Sequence, residues 1–325
     1  MPRRLLRRAA AGLLTLLLVT FLVALLIEVA PGDALTDETA GEALHGLSPA
    51  AIAELQRLYH LDQPVHRRYA MWLGDVLRGD LGRSLASRRP VTAVIAERLP
   101  VTLLLNVLAL AAMVGISLPL GSAAALRPGG PLDRLAGGGT YLLYSLPVFW
   151  AGLLLQTVFA VRLDWLPLAG LATGTGGTPV GGHPLLDRAA HLVLPVICLS
   201  YPGLAYLSRF VRATLLDSAA VEGVLAARAR GMSPWEVVWR HGIRQAAVPM
   251  LTLAGFLLPG LVSGSVIVET VFSIPGLGRL LVDAALGQDV PVVMALTLLG
   301  GVATVGGMLC ADLCYEFADP RVRRG

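Results

Sequence analysis

The stretch Leu225–Arg244, LAARARGMSPWEVVWRHGIR, decides how the rest of the chain is read. It is polar and arginine-bearing, and apolar stretches long enough to cross a bilayer flank it on both sides. Val221 to Arg230 reads as one short helix. Gly231 closes it, because glycine enters the left-handed conformation without a Cβ penalty. Ser233-Pro234-Trp235-Glu236 then opens a second helix, with Ser as N-cap, Pro at the first helical position and Glu three residues after the cap. The reading is therefore two short helices with a built-in bend, placed between membrane segments.

Composition agrees with the membrane setting. Of 325 residues, 55 % are hydrophobic and only 15 % charged, where a soluble domain carries about 25 % charge. Mean hydropathy is +0.69. All 26 basic residues are arginine. A phosphate-binding loop of the Walker A type needs a lysine on the β/γ-phosphates, so this chain cannot carry that ATP site. Cys198, Cys310 and Cys314 sit in apolar segments with no metal-ligand spacing and read as small buried hydrophobes.

Six apolar runs reach the length of about 20 residues that a crossing needs: Ala9–Ala30, Val101–Leu126, Leu135–Val161, Ala189–Ser208, Gln245–Val268 and Val290–Ala311. The fourth is interrupted by Pro195 and Pro202, which membrane helices tolerate. The first is longer than the apolar core of a cleaved signal peptide, about 7–15 residues, and reads as an uncleaved anchor. The expected fold is an all-α polytopic membrane protein. Residues 1–8 form a short tail, 9–30 the first helix, and 31–100 a loop with short helices. Residues 101–314 form a five-helix core that includes the polar segment 215–244, and 315–325 a second tail.

Arginine asymmetry orients these segments. With the N-terminus inside, Arg3, Arg4, Arg7, Arg8, Arg127, Arg134, the six arginines from Arg209 to Arg244, and Arg321, Arg323 and Arg324 are cytoplasmic. The short outer loops hold only Arg162, Arg188 and Arg279. Both tails and the 209–244 segment are thus expected in the cytoplasm, where the bent pair of helices suits docking of a soluble partner. In the long outer loop, Ser48-Pro49 starts a helix with Ile52, Leu55 and Tyr59 on one face. Pro64 starts another, with Val65, Tyr69, Trp72, Leu73, Val76 and Leu77 in register. Such helices lie on the membrane surface or cap the bundle. Gly170–His183 is glycine-rich and expected to be mobile.

Residues Leu225–Gly231 resemble the cytoplasmic coupling motif of permease subunits in binding-protein-dependent ABC importers. Further stretches resemble the dipeptide/oligopeptide/nickel branch of those permeases: APGD (Ala30–Asp33), LDQPVHRRYAMWLGDVLRGDLGRSL (Leu61–Leu85), ERLPVTLLLN (Glu97–Asn106), SLPVFWAGLLL (Ser145–Leu155), RHGIRQAAVPMLT (Arg240–Thr252), ETVFSIPGLGRLL (Glu269–Leu281) and DPRVR (Asp319–Arg323). They stand in the family's order along nearly the whole chain. The resemblance implies a type I importer permease of six crossings in a bacterial inner membrane. It implies a second permease, two cytoplasmic ATPase subunits that use ATP and Mg, and an extracytoplasmic solute-binding protein, with no nucleic acid. It places ATPase coupling on Glu222, Leu225, Ala226, Ala227, Arg228, Ala229, Arg230 and Gly231. The chain departs from the pattern at Gly223, Leu225 and Ala226. Small peptides are the expected cargo; nickel, glutathione or another small solute are the alternatives.

Polar residues inside the crossings admit two readings. Asn106, Gln156, Ser200, Ser263 and Ser265 either hydrogen-bond between helices or line the path of the solute. Arg209 and Arg212, at the cytoplasmic end of the fourth crossing, are expected to snorkel. Glu269, beside SIPGLG, either shapes an outer turn or sits among headgroups. No GxSxG, GxGD or HExxH occurs, and the six histidines share no ligand spacing. An intramembrane enzyme and a resident metal or other cofactor are accordingly not expected. The chain also lacks the internal repeats and mid-membrane charges of a stand-alone secondary transporter.

Overall fold

The computed structural model describes residues 2–29, 63–174, 179–219, 230–237 and 265–318. Among these the regular structure is helical, apart from one isolated antiparallel bridge between Arg83 and Pro90. The helices are α1 (Pro2–Val29), α2 (Val65–Leu77), α3 (Val91–Leu126), α4 (Pro131–Ser145), α5 (Val148–Leu155), α6 (Pro184–Ala219), α7 (Pro234–Val237), α8 (Val266–Val271), α9 (Leu277–Leu286) and α10 (Val290–Ala318). A π-helical stretch, Gln156–Arg162, prolongs α5.

Four of these helices carry apolar spans long enough to cross a membrane: Arg7–Val29, Val91–Leu126, Pro184–Asp217 and Val290–Cys310. Several helices overrun the expected boundaries. The expected tail 1–8 is helical from Pro2. The loop expected over 31–100 does not reach Pro100, because α3 starts at Val91. Pro90 presets the turn and accepts the amides of Ala93 and Val94 (3.0 and 3.2 Å). Val91, Val94 and Ile95 are buried against α9 and α10, and that burial holds the added turns. The last helix likewise continues to Ala318, past the expected tail boundary at 315.

The run Leu135–Val161, expected as one straight crossing, is broken. It is two helical segments, Pro131–Ser145 and Val148–Arg162, bent by 101°. The cause is local. Leu146 precedes Pro147 and takes an extended conformation (φ −83°, ψ 126°), as the proline ring demands of its predecessor. The fifth expected crossing, Gln245–Val268, lies outside the described residues except for its final turn in α8.

The central packing is α3 against α6. Small residues allow the backbones to approach: a Cβ on Gly121 would meet the Ser208 carbonyl at 2.5 Å and Val211 Cβ at 2.8 Å. Ala205 and Ser117 are fully buried in the same seam, and the Ser117 hydroxyl donates to the Leu204 carbonyl (3.3 Å). This is how membrane helices associate without a hydrophobic driving force. Helix α1 packs on α10, with Gly12 under Val305 and Gly301 under Leu16. Its other face, including Leu18, Leu22 and Leu26, is exposed.

Candidate functional site

Three polar constructions stand out. The first is the elbow Arg230–Val237, which follows the residues expected to couple to an ATPase. Gly231 has φ +79°, the left-handed conformation expected of it. The Ser233 hydroxyl accepts from the Glu236 amide (3.2 Å), while the Glu236 carboxylate accepts from the Ser233 amide (3.1 Å) and hydroxyl (2.9 Å). This reciprocal pattern is a capping box. Val237 is buried beside Met232, which seats α7. Arg230 and Gly231 therefore enter a defined turn. Glu222, Leu225, Ala226, Ala227, Arg228 and Ala229 lie outside the described residues.

The second construction joins α4 to α6. Arg212 makes a bidentate pair with Asp133, Nε to Oδ1 at 2.5 Å and Nη2 to Oδ2 at 2.7 Å, and the Gly129 amide donates to the same carboxylate (2.8 Å). Arg209 lies over the Tyr141 ring, 4.5 Å from its centroid. The expectation that both arginines snorkel is thus corrected. A planar guanidinium finds a carboxylate fork and an aromatic face within the protein, and both are better partners than a headgroup reached at the end of a stretched side chain.

The third construction is the turn Ser273–Gly276 between α8 and α9. Glu269 is completely buried. Its carboxylate accepts from the Thr102 hydroxyl (3.1 Å) and from the Arg279 amide (3.0 Å), and the Thr102 oxygen accepts from the Leu277 amide (2.8 Å). Leu277 and Arg279 are in the first turn of α9. Glu269 and Thr102 together satisfy amides that the helix leaves open, and the carboxylate faces the positive end of the helix. Of the two readings for Glu269, the structure shows the turn-shaping one.

The polar residues proposed for a path are placed differently from one another. Gln156 is buried and donates to the carbonyls of Leu168 (2.8 Å) and Val271 (3.1 Å), so it ties three segments together. Ser200 donates to Ile197 in its own helix (3.2 Å). Asn106 is buried on α3. Ser265 caps α8, accepting from the Val268 amide (3.3 Å), and lines an open cavity of about 300 Å3 with Val148, Cys198, Pro202 and Ile267. Ser263 lies outside the described residues.

Two arrangements escaped the sequence reading. Asp133 falls three residues after the Gly130 cap, a position that signals a helix start, yet nothing in the sequence pairs it with Arg212. Asp187 collects the Thr173 amide (2.7 Å), the Thr173 hydroxyl (2.5 Å) and the Val180 amide (3.1 Å). With the Gly170 amide bound to the Phe272 carbonyl (2.8 Å), the described part of the glycine-rich loop is tied down at both ends. The expectation that it is mobile does not hold for those residues.

The sequence matches a known family of proteins along most of the chain. The family model described as binding-protein-dependent transport system inner membrane component matches residues 117–324, and the model of its N-terminal region matches residues 1–106. The chain belongs to this family. An oligopeptide transport system permease protein of Bacillus subtilis is 35 % identical over 323 residues, with 99 % of each chain covered. Dipeptide transport system permease proteins of Lactococcus lactis and Escherichia coli are each 33 % identical. They cover 99 % and 98 % of this chain, and 100 % and 98 % of their own. The inward-facing MetNI methionine ABC transporter shares the fold, with a TM-score of 0.55 at 18 % identity over 70 % of this chain and 97 % of that one. The permease is therefore an all-α, multi-pass inner-membrane component of a binding-protein-dependent transporter.

Proposed function

We propose that this chain is one of two permeases that form the path for small peptides through the membrane. A solute-binding protein delivers the peptide, and two separate ATPase subunits supply the energy. Near full-length similarity to permeases named for oligopeptide and dipeptide transport is the observation that carries this reading. The chain crosses the membrane six times with both termini in the cytoplasm. The ATPases seat on Glu222 to Gly231, and ATP with Mg is hydrolysed there, in the partners. Asn106, Ser200, Ser263 and Ser265 are candidates for the wall of the path, and the placement of Ser265 beside an open cavity supports its inclusion. Gln156 is better read as a structural tie, because its amide is committed to two carbonyls.

Ala227 tests the coupling assignment. A carboxylate there would be buried without a partner in the ATPase groove, at a cost of several kcal/mol. Ala227→Asp should insert and pair with the second permease, yet lose ATPase co-purification and uptake of a labelled dipeptide. Ser87→Asp, in an exposed outer turn, should leave both intact. Full ATPase recruitment and uptake by Ala227→Asp would refute the assignment.

A further inference from the structure

Four side chains on α6 reach toward α4 and the bend that follows it. Cys198, Tyr201, Arg209 and Arg212 fall within about 80° of one another around the helix axis, at 3.6 residues per turn. Cys198 Sγ donates to the Val148 carbonyl (3.4 Å), and the Tyr201 hydroxyl donates to the Leu146 carbonyl (2.7 Å). Arg209 lies over Tyr141 and Tyr144, 4.5 and 5.7 Å from their ring centroids, and Arg212 holds Asp133 by its fork. The partners run backward along the chain as α6 runs forward. Helix α4 therefore lies antiparallel to α6 and is fastened near its start, past its middle and at its end.

Helix α4 needs this support. Gly137-Gly138-Gly139 interrupts its interior, and glycine is the poorest helix former after proline. Close packing does not account for the three, because among the described residues nothing lies within 4 Å of where their Cβ atoms would be. The Asp133–Arg212 fork and the Arg209–Tyr141 contact stand on either side of them. The fastened pair then ends at a weak level. The chain turns by 101° at Leu146-Pro147. On α6, Pro202 lacks the amide that would bond the carbonyl one turn back. The Tyr201–Leu146 hydrogen bond puts both prolines at one height. From there to Ala219, α6 holds no further proline.

We propose that Arg212, acting through Asp133, is a positioning residue for transport. It makes α4 move with residues 203–219 of α6, so that displacement of the coupling segment is delivered to a joint at Pro147 and Pro202. This rests on the docking reading above, in which the ATPases act on residues 222–231, a stretch that begins three residues after Ala219. Without the fork α4 no longer follows α6, and ATP is hydrolysed without moving the bend. Hinges of this kind are a few positions that absorb the backbone change while the packed elements on each side stay rigid.

The assembled transporter in liposomes tests this through the amount of labelled dipeptide taken up per ATP hydrolysed. Arg212→Ala should keep the ATPases bound and hydrolysing, while uptake per ATP falls severalfold. Asp133→Arg combined with Arg212→Asp restores a fork of opposite sense and should recover most of the loss. An unchanged ratio in Arg212→Ala overturns the proposal and leaves the docking assignment intact. An Arg212→Ala complex that fails to assemble makes the pair a structural tie, and overturns it too. Ala227→Asp, run alongside, reads the docking assignment by itself; full ATPase recruitment there removes that assignment and this proposal with it. Spin-label distances supply a measurement with the pair intact. Cys198 is replaced by Ser, and Cys310 and Cys314 by Ala. Labels go at the exposed positions Leu135 on α4, Leu154 on α5 and Tyr206 on α6. Between the nucleotide-free and vanadate-trapped states the 135–206 distance should stay constant while the 135–154 distance shifts. A 135–206 distance that shifts, or a 135–154 distance that does not, overturns the proposal.

Discussion

Glu269 and Thr102, 167 positions apart, share one hydrogen bond of 3.1 Å and jointly close the first turn of α9. Thr102 stands on α3 and Glu269 on α8, so three helices meet at two side chains. Gly276 completes the arrangement. A Cβ there would fall on the Glu269 carboxylate and on the Thr102 hydroxyl. The SIPGLG sequence is thus read as a fitted cradle: glycine where the carboxylate comes closest, and a free helix start where the carboxylate accepts.

Two substitutions separate the hydrogen bonding from the fit. Thr102→Val keeps the shape but leaves the Leu277 amide without an acceptor, a loss of about 1–3 kcal/mol. Gly276→Ala keeps every polar group but forces the carboxylate aside, and overpacking of this kind costs about 1–3 kcal/mol. Both should lower the thermal unfolding midpoint of the purified protein. The double variant should lose less than the sum, because each change disturbs the same carboxylate. Strict additivity would mean that the two residues act independently.

Asp289 anchors the turn before α3 in a comparable way. It accepts from the Ser84 hydroxyl (2.5 Å) and from the amides of Leu85 (3.0 Å) and Ala86 (3.3 Å). Asp289→Ala strips three donors of their acceptor and should free the turn. Limited trypsin digestion reads this directly, since Arg83 and Arg88 are exposed in the same turn. Losing about 1–3 kcal/mol should raise the rate of cleavage there by about fivefold or more where opening precedes cleavage. An unchanged rate would show that Asp289 does not hold the turn.

Much of this was legible because it is local. The glycine stop at 231, the capping box at Ser233 and Glu236, and the α2 start at Pro64 each depend on residues within one turn. The long spans were legible from hydropathy alone. The 101° bend was not read from Leu146-Pro147, although the pre-proline rule contains it, because an uninterrupted apolar run masked the break. The Arg212–Asp133 pair and the Asp187 ties were hidden for a different reason. Their partners are brought together by packing between helices, and no periodicity in a single segment encodes that.

Topology can be measured with reporter fusions. Fusions at Gly79, Gly176 and Gly287 should report the outer side, and fusions at Gly129, Met232 and Gly325 the cytoplasm. Gly129 and Gly176 are the informative pair, because the bent segments α4 and α5 with the π-helical stretch lie between them. Opposite sides mean that the bent pair is one crossing; the same side means that it enters and leaves by one face. The second outcome would remove the cytoplasmic placement of the coupling segment.

Gly231 offers a test of the elbow that is independent of what docks on it. Its φ of +79° is costly for most residues with a Cβ, about 1–2 kcal/mol, more for a β-branched one and least for asparagine. Yet among the described residues nothing lies within 4 Å of the point where a Cβ would be placed, so strain acts here without collision. Gly231→Asn should be nearly neutral, because asparagine tolerates this conformation. Gly231→Ala should be intermediate, and Gly231→Val should re-aim the segment leading into Ser233. ATPase co-purification and dipeptide uptake should fall in that order, while membrane insertion stays constant. The ranking matters more than any one value. A clash would rank the variants by volume and make Asn worse than Ala, whereas a left-handed turn ranks them by backbone tolerance and makes Asn better. If Asn fails and Ala succeeds, the surface around Gly231 is covered by a partner, and the glycine is needed there for space.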